Sequence, residues 1–86
     1  MSILKDIPTV HKNFVSGSGD VELSGGNCVG VYVGNVTGGA VVKLNDQNGT
    51  TAQYNGVPIG TTLYGKFTKM VDSGTTATGF VELIRA

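Results

Sequence analysis

The sequence has little charge, no tryptophan and no long apolar run. Charged residues make up 14% of its 86 positions, against about 25% in an ordinary soluble domain. The six basic and six acidic residues are spread along the chain, so the net charge is zero and no basic block exists. Because contacts with phosphate dominate affinity for nucleic acid, this composition argues against nucleic acid as the main partner.

Cysteine is also nearly absent, because Cys28 is the only one. It cannot form an internal disulfide, and there is no pattern of a secreted, disulfide-stapled domain. The apolar pieces of the first 18 residues are short and are interrupted by charge and by Pro8. We expect neither a signal peptide nor a membrane span, and therefore assembly in a cytoplasm rather than export.

Glycine, by contrast, is abundant, with 14 residues in 86, about twice the usual ~7%. A chain of this length forms one small domain, whose core is barely sufficient for stability on its own. A glycine-rich surface with few charges tends to associate, and small domains often gain stability in this way. The composition therefore predicts a homo-oligomer.

Past residue 18 the apolar residues occur in short runs rich in valine, threonine and tyrosine, separated by glycine, asparagine and aspartate. This pattern predicts an all-β domain over residues 19–86, a small antiparallel sandwich or barrel of about six strands. The predicted strands are Asp20–Leu23, Cys28–Gly34, Ala40–Leu44, Thr51–Tyr54, Thr61–Val71 and Thr78–Ile84.

Residues 1–18 are predicted to be an N-terminal arm and linker. The apolar spacing here is helical, yet Pro8 interrupts it, so an extended arm on a neighbouring subunit competes with a helix. Phe14 would then be an intersubunit contact. The run Ser16–Gly19 reads as a flexible joint.

Three turns separate the strands. Asn48-Gly49 is a strong hairpin signal, because both residue types tolerate a positive φ angle. A wider connection begins at Asn55-Gly56, and a third turn contains Gly74. We expect positive φ at Gly49 and Gly56.

The sequence offers little chemistry. His11 and Cys28 are the only histidine and cysteine, and no third group orients them as a nucleophilic pair. Asp20 and Glu22 read as solvated charges at a strand edge rather than an acid–base pair. We expect no catalytic residues, no metal site and no cofactor, and therefore no enzyme.

The aromatic residues suggest contacts. The long predicted strand Thr61–Val71 has large side chains on both faces, and a small sheet stack cannot bury both. One face should therefore meet a neighbour, with Tyr64 and Met70 at the contact and Tyr32 as a further interface residue. The alternative is a small β-barrel that binds single-stranded nucleic acid or a short ligand, on which Tyr32, Tyr54 and Tyr64 stack bases.

The order of the motifs resembles a known family. Tyr32-Val33-Gly34, the run "NGVPIGT" at residues 55–61 and the run "GTTAT" at residues 74–78 occur in the order found in small spike-base proteins of tailed phages and gene transfer agents. The resemblance covers about Val31–Ile84. It differs by one extra residue in the "NGVPIG" turn and by lysines at positions 66 and 69, where the family more often has arginine.

The resemblance implies a non-enzymatic virion protein. Such a protein would be a homo-oligomeric β module on a phage head or tail that supports a spike or fibre or decorates the capsid. Its partners would be its own copies in a cyclic trimer or pentamer, capsid or tail proteins, and a fibre protein. No membrane partner is expected. In this setting the threonines at positions 75, 76 and 78 would bond backbone groups at the start of the last strand.

Overall fold

A computed structural model describes residues 10–35 and 40–85 as two packed antiparallel sheets. The all-β sandwich predicted from the sequence is confirmed, with eight strands in the described residues instead of about six. The strands are β1 (Val10–Val15), β2 (Val21–Glu22), β3 (Cys28–Asn35), β4 (Ala40–Asn45), β5 (Thr51–Val57), β6 (Thr62–Tyr64), β7 (Lys69–Met70) and β8 (Gly79–Ile84).

The strand order is β1-β8-β3-β6 in the first sheet and β2-β7-β4-β5 in the second. Side chains alternate along each strand, so the inward residues of the two sheets form one core. Val31 and Val33 of β3 and Val42 and Leu44 of β4 all belong to this core and are fully buried. Because the core joins both sheets, neither sheet is stable without the other.

The predicted arm is wrong for residues 10–18, and residues 1–9 lie outside the described part. β1 pairs with the whole of β8, in the register Val10↔Ile84 to Val15↔Gly79. Phe14 is buried and stacks on Phe80, with 4.9 Å between the ring centroids. The helical spacing misled because the alternation of β1 places only Phe14 deep in the core.

The predicted flexible joint is held in place by hydrogen bonds. Ser16 Oγ donates to the carbonyl of Ala77 at 2.7 Å. The amides of Gly17 and Gly19 donate to the two carboxylate oxygens of Asp72, at 2.7 and 3.1 Å. The run at 16–19 is therefore a fixed connection between the sheets.

The predicted strand Thr61–Val71 is two strands in different sheets. β6 belongs to the first sheet and β7 to the second, and the chain crosses between them over residues 65–68. Gly65 permits this crossing, because a Cβ atom there would lie 2.8 Å from Cζ of the buried Phe67 ring. The sequence pattern was misleading because Leu63, Phe67 and Val71 would share one face of a continuous strand.

The predicted turns are partly corrected. Gly49 closes the β4–β5 hairpin beside Asn48 with φ of 80°, and Gly74 lies in the turn after β7 with φ of 91°. Gly56 has the expected positive φ of 67°, but it and Asn55 lie inside β5 at a bulge opposite β4. The predicted turn at that position is therefore a strand irregularity.

The threonines after β7 bond backbone groups as expected. Thr75 Oγ1 accepts from the amide of Lys43 at 3.1 Å and donates to the carbonyl of Val71 at 2.6 Å. Thr76 Oγ1 accepts from the amide of Val41 at 2.7 Å, and Thr78 Oγ1 donates to the carbonyl of Asn35 at 3.2 Å. The hydroxyl groups of Thr75 and Thr76 cover the side of β4 that β7 is too short to pair, and that of Thr78 bonds to β3.

Candidate functional site: the outer face of the first sheet

The outer face of the first sheet is built by strand alternation. Phe14, Phe80 and Val31 point inward, so the residues beside them in sequence point outward. The outward residues, called here the neutral face, are His11, Asn13 and Val15 of β1, Gly79, Val81 and Leu83 of β8, Gly30, Tyr32 and Gly34 of β3, and Thr62 and Tyr64 of β6.

The neutral face carries no Asp, Glu, Lys or Arg among its described residues. Its exposed apolar surface comes mainly from Tyr64 and Val15, whose exposures are 74% and 58%. Val81 and Leu83 are half-buried at its centre. An uncharged, aromatic sheet face of this kind is typical of an interaction surface.

The Tyr32 ring packs against a glycine of its own strand on this face. A Cβ atom on Gly34 would lie 3.4 Å from Cε2 of the Tyr32 ring, so the ring lies over that glycine. Gly30 has a different role: a Cβ atom there would lie 2.9 Å from the carbonyl oxygen of Leu63. The backbone of β6 thus approaches β3 closely at Gly30.

The outer face of the second sheet has the opposite character. Its outward residues are Glu22 of β2, Lys69 of β7, Val41, Lys43 and Asn45 of β4, and Thr51, Gln53 and Asn55 of β5. Charged groups and amides dominate, and Lys69 Nζ lies 3.8 Å from Asp20 Oδ2. A face of this composition is typical of a solvent-exposed surface.

The predicted interface residues divide between surface and core. Tyr64 and Tyr32 lie on the neutral face, and their role as contacts stays a prediction. Met70 has no exposed surface and Phe14 only 8%, so both pack inside their own chain and cannot be surface contacts. Met70 points inward because the chain changes sheet before it, which reverses the side predicted for a continuous strand.

The predicted three-tyrosine platform does not form. Tyr32 and Tyr64 share the neutral face, but Tyr54 points into the sandwich from β5 and packs against the core. The outward residues of the described strands on that face include no lysine or arginine, and Lys66, which lines a cleft with Tyr64, donates to the carbonyl of Gly26. The two exposed rings therefore lack the positive groove that tracks a nucleic-acid backbone.

His11 and Cys28 lie on opposite sides of the first sheet. His11 is on the neutral face, whereas Cys28 is inward and fully buried. Burial, with the nearby negative charge of Glu82, raises the pKa of the Cys28 thiol from 9.0 to about 11. The thiol is therefore protonated at neutral pH, which does not suit a nucleophile.

Glu82 is a buried carboxylate that the sequence analysis missed. It has no exposed surface, and its Oε2 accepts a hydrogen bond of 2.7 Å from the amide of Ser24. Its Oε1 has no hydrogen-bond partner in the described part of the chain. In "GFVELI" the alternation of a strand places position 82 on the same side as Phe80. This pattern was sufficient to predict that Glu82 points into the core.

A shallow cleft of about 330 Å³ lies at one end of the neutral face. It is lined by Cys28, Val29, Tyr64, Gly65 and Lys66. Cys28 lies below its floor, without exposed surface. Lys66 Nζ, at the rim, donates to the carbonyl of Gly26 at 3.2 Å. The cleft therefore has the Tyr64 ring as one wall and a lysine that is already hydrogen-bonded to the backbone.

Within residues 10–35 and 40–85, no three His, Cys, Asp or Glu side chains come close enough together to hold a metal ion. The same residues contain no helix that is long and apolar enough to cross a membrane.

In comparisons with known proteins, the chain matches no family model, no curated protein and no solved structure.

Proposed function

We propose that the protein is a non-enzymatic structural subunit of a virion, a homo-oligomeric β module whose copies meet through the neutral face. The single observation that carries this proposal is the contrast between the two outer faces. One is charged and the other has no charged residue in its described part. The motif order shared with phage spike-base proteins supports the particle as the place where the module works.

A subunit contact through the neutral face would cover a sizeable share of the surface of so small a chain. A specific contact hides about 800 Å² on each partner, roughly a sixth of the 4754 Å² that the chain exposes. Tyr64 and Tyr32 would anchor the contact, because tyrosine buries much area at small entropic cost. Capsid, tail and fibre proteins are the further partners that the resemblance implies.

A cyclic arrangement is the proposed assembly. Closed rings are the usual form of homo-oligomers, and a base that supports a fibre would surround its axis. Trimer and pentamer both agree with this reasoning. The virion, after assembly in the host cytoplasm, is the proposed location.

Mass measurement of a matched pair of charge variants tests the proposal. Tyr64→Lys adds a charge to the neutral face without disturbing the core, because the ring is 74% exposed. Asn55→Lys adds the same charge to the polar face, where Asn55 is exposed. By size exclusion with light scattering, Tyr64→Lys should dissociate and Asn55→Lys should keep the mass of the parent.

The outcome that would contradict the proposal is equally definite. If both variants keep the mass of the parent, the neutral face is not the contact. If the parent binds single-stranded DNA at micromolar concentration in a salt-sensitive gel shift, the binding-module alternative replaces the structural role.

A further inference from the structure

The four edge strands of the sandwich differ in how well they are protected from pairing. Sheet edges are usually made unsuitable for pairing by shortness, charge, proline or bulges. β2 has two residues, one of them Glu22, and β6 has three. β1 is longer but carries His11 and Lys12. β5 has seven residues, "TAQYNGV", with neither a charged residue nor proline.

The backbone groups of β5 that face away from β4 can be identified from the bonds of β4. Asn45 and Lys43 bond to the other side, since their carbonyls accept from Thr68 and Val71 at 2.8 and 2.9 Å. Their partners in β5, Thr51 and Gln53, are therefore in non-hydrogen-bonded pairs. The amides and carbonyls of Thr51 and Gln53 point to the open edge.

On the opposite side of β4, unlike on the open edge of β5, side chains cover the free backbone amides. There the hydroxyl groups of Thr75 and Thr76 accept bonds from the amides of Lys43 and Val41. No described residue covers β5 in this way, because β5 ends the strand order of its sheet. The bulge at Gly56 limits the flat part of this edge to Thr51–Tyr54.

We infer that this edge pairs with the same edge of a second copy, antiparallel and around a twofold axis at Ala52. In that register Thr51 lies opposite Gln53 of the other copy, twice, and these are the residues with outward backbone groups. Every side chain brought together is neutral, so no like charges meet. This contact is independent of the neutral face and does not rest on the proposed function.

A charge-pair experiment tests the register. Thr51→Lys with Gln53→Lys places lysine opposite lysine at both pairs. Thr51→Lys with Gln53→Glu places lysine opposite glutamate at the same positions. Both double variants lose the same exposed hydrogen bonds, from Thr51 Oγ1 to Asn45 and from Gln53 Nε2 to Asn55. Thermal melts of the two variants check that both fold.

The readout is sedimentation equilibrium at low salt and about 100 μM protein, since a contact under about 1,200 Å² is weak. Each variant is also made with Tyr64→Lys, which removes the contact through the neutral face and leaves the edge. In that background we expect a dimer for the lysine–glutamate variant, and about tenfold weaker association for the lysine–lysine variant. Equal association of the two variants, or monomers in both, would overturn the inference.

Discussion

The two sheets place their charged residues on opposite sides. In the second sheet Glu22, Lys43 and Lys69 point outward, and the inward side is apolar. In the first sheet the outward side has no charged residue, while Glu82 is buried inside. An ordinary sandwich shows charge to water on both outer faces. This reversal in the first sheet is the basis of the proposal that its outer side is covered by another subunit.

The largest predicted effect comes from removing the inward charge of the first sheet. Glu82→Ala should lower the free energy of unfolding by about 3 kcal/mol, because the Ser24 amide loses its acceptor and a cavity remains. Glu82→Gln keeps an acceptor oxygen without a buried charge and should lie within about 1 kcal/mol of the parent. Urea unfolding measures both. Equal stability of the alanine variant and the parent would show that Glu82 is not buried as described.

A smaller effect is expected where threonine covers β4. Thr75→Val removes the acceptor of the Lys43 amide and the donor to Val71 and should cost about 2 kcal/mol. Thr51→Val on the open edge removes one exposed bond and should cost less than about 0.5 kcal/mol. Thermal unfolding compares the two isosteric changes. A cost at position 51 as large as that at position 75 would contradict the distinction between covered and open edges.

The hairpin of the second sheet gives the next prediction. Gly49→Val should destabilise the fold by more than about 1 kcal/mol, because valine is strained at the φ angle of 80° that Gly49 adopts. A steric clash would not contribute, since no atom lies within 4 Å of a Cβ atom at this position. Gly49→Asn should cost less, since asparagine tolerates this conformation. If the valine variant melts like the parent, the hairpin is wrongly described.

The smallest effect concerns the pH dependence that Cys28 contributes. The folded pKa of about 11 exceeds the ordinary value of 9.0, so the unfolded chain releases this proton first as pH rises. The stabilisation is complete below pH 9.0 and is lost as pH rises to about 11. Between about pH 9 and 10 the parent should lose about 1 kcal/mol more than Cys28→Ala does. Parallel pH profiles for the two proteins would exclude this contribution.

The sequence predicts local features of this fold better than the paths between them. The alternation in β3, β4 and β8 and the glycine at position 49 were sufficient to predict an all-β domain and its hairpin. They were sufficient because strand pattern and turn chemistry are local. The crossing at Gly65 was not predictable, because the apolar residues on either side of it also fit one continuous strand. Met70 was assigned to the surface for that reason.

The neutral face was predictable only in part. Tyr64 and Tyr32 could be selected as large apolar residues in strands, but their joint location needs the pairing of β3 with β6. Phe14 was misassigned because β1 lies beside β8, a strand more than 60 residues away in sequence. The lack of charge on the face is a property of four strands together, and no single run of sequence contains it.

The most direct test of the neutral face measures mass after the β5 edge has been blocked. The chain carrying Thr51→Lys and Gln53→Lys should still have the mass of several 8.8 kDa chains by light scattering at micromolar concentration. Adding Tyr64→Lys to this chain should reduce the mass to that of one chain. A mass of 8.8 kDa before Tyr64 is changed, constant over a tenfold rise in concentration, would contradict burial of the neutral face between subunits.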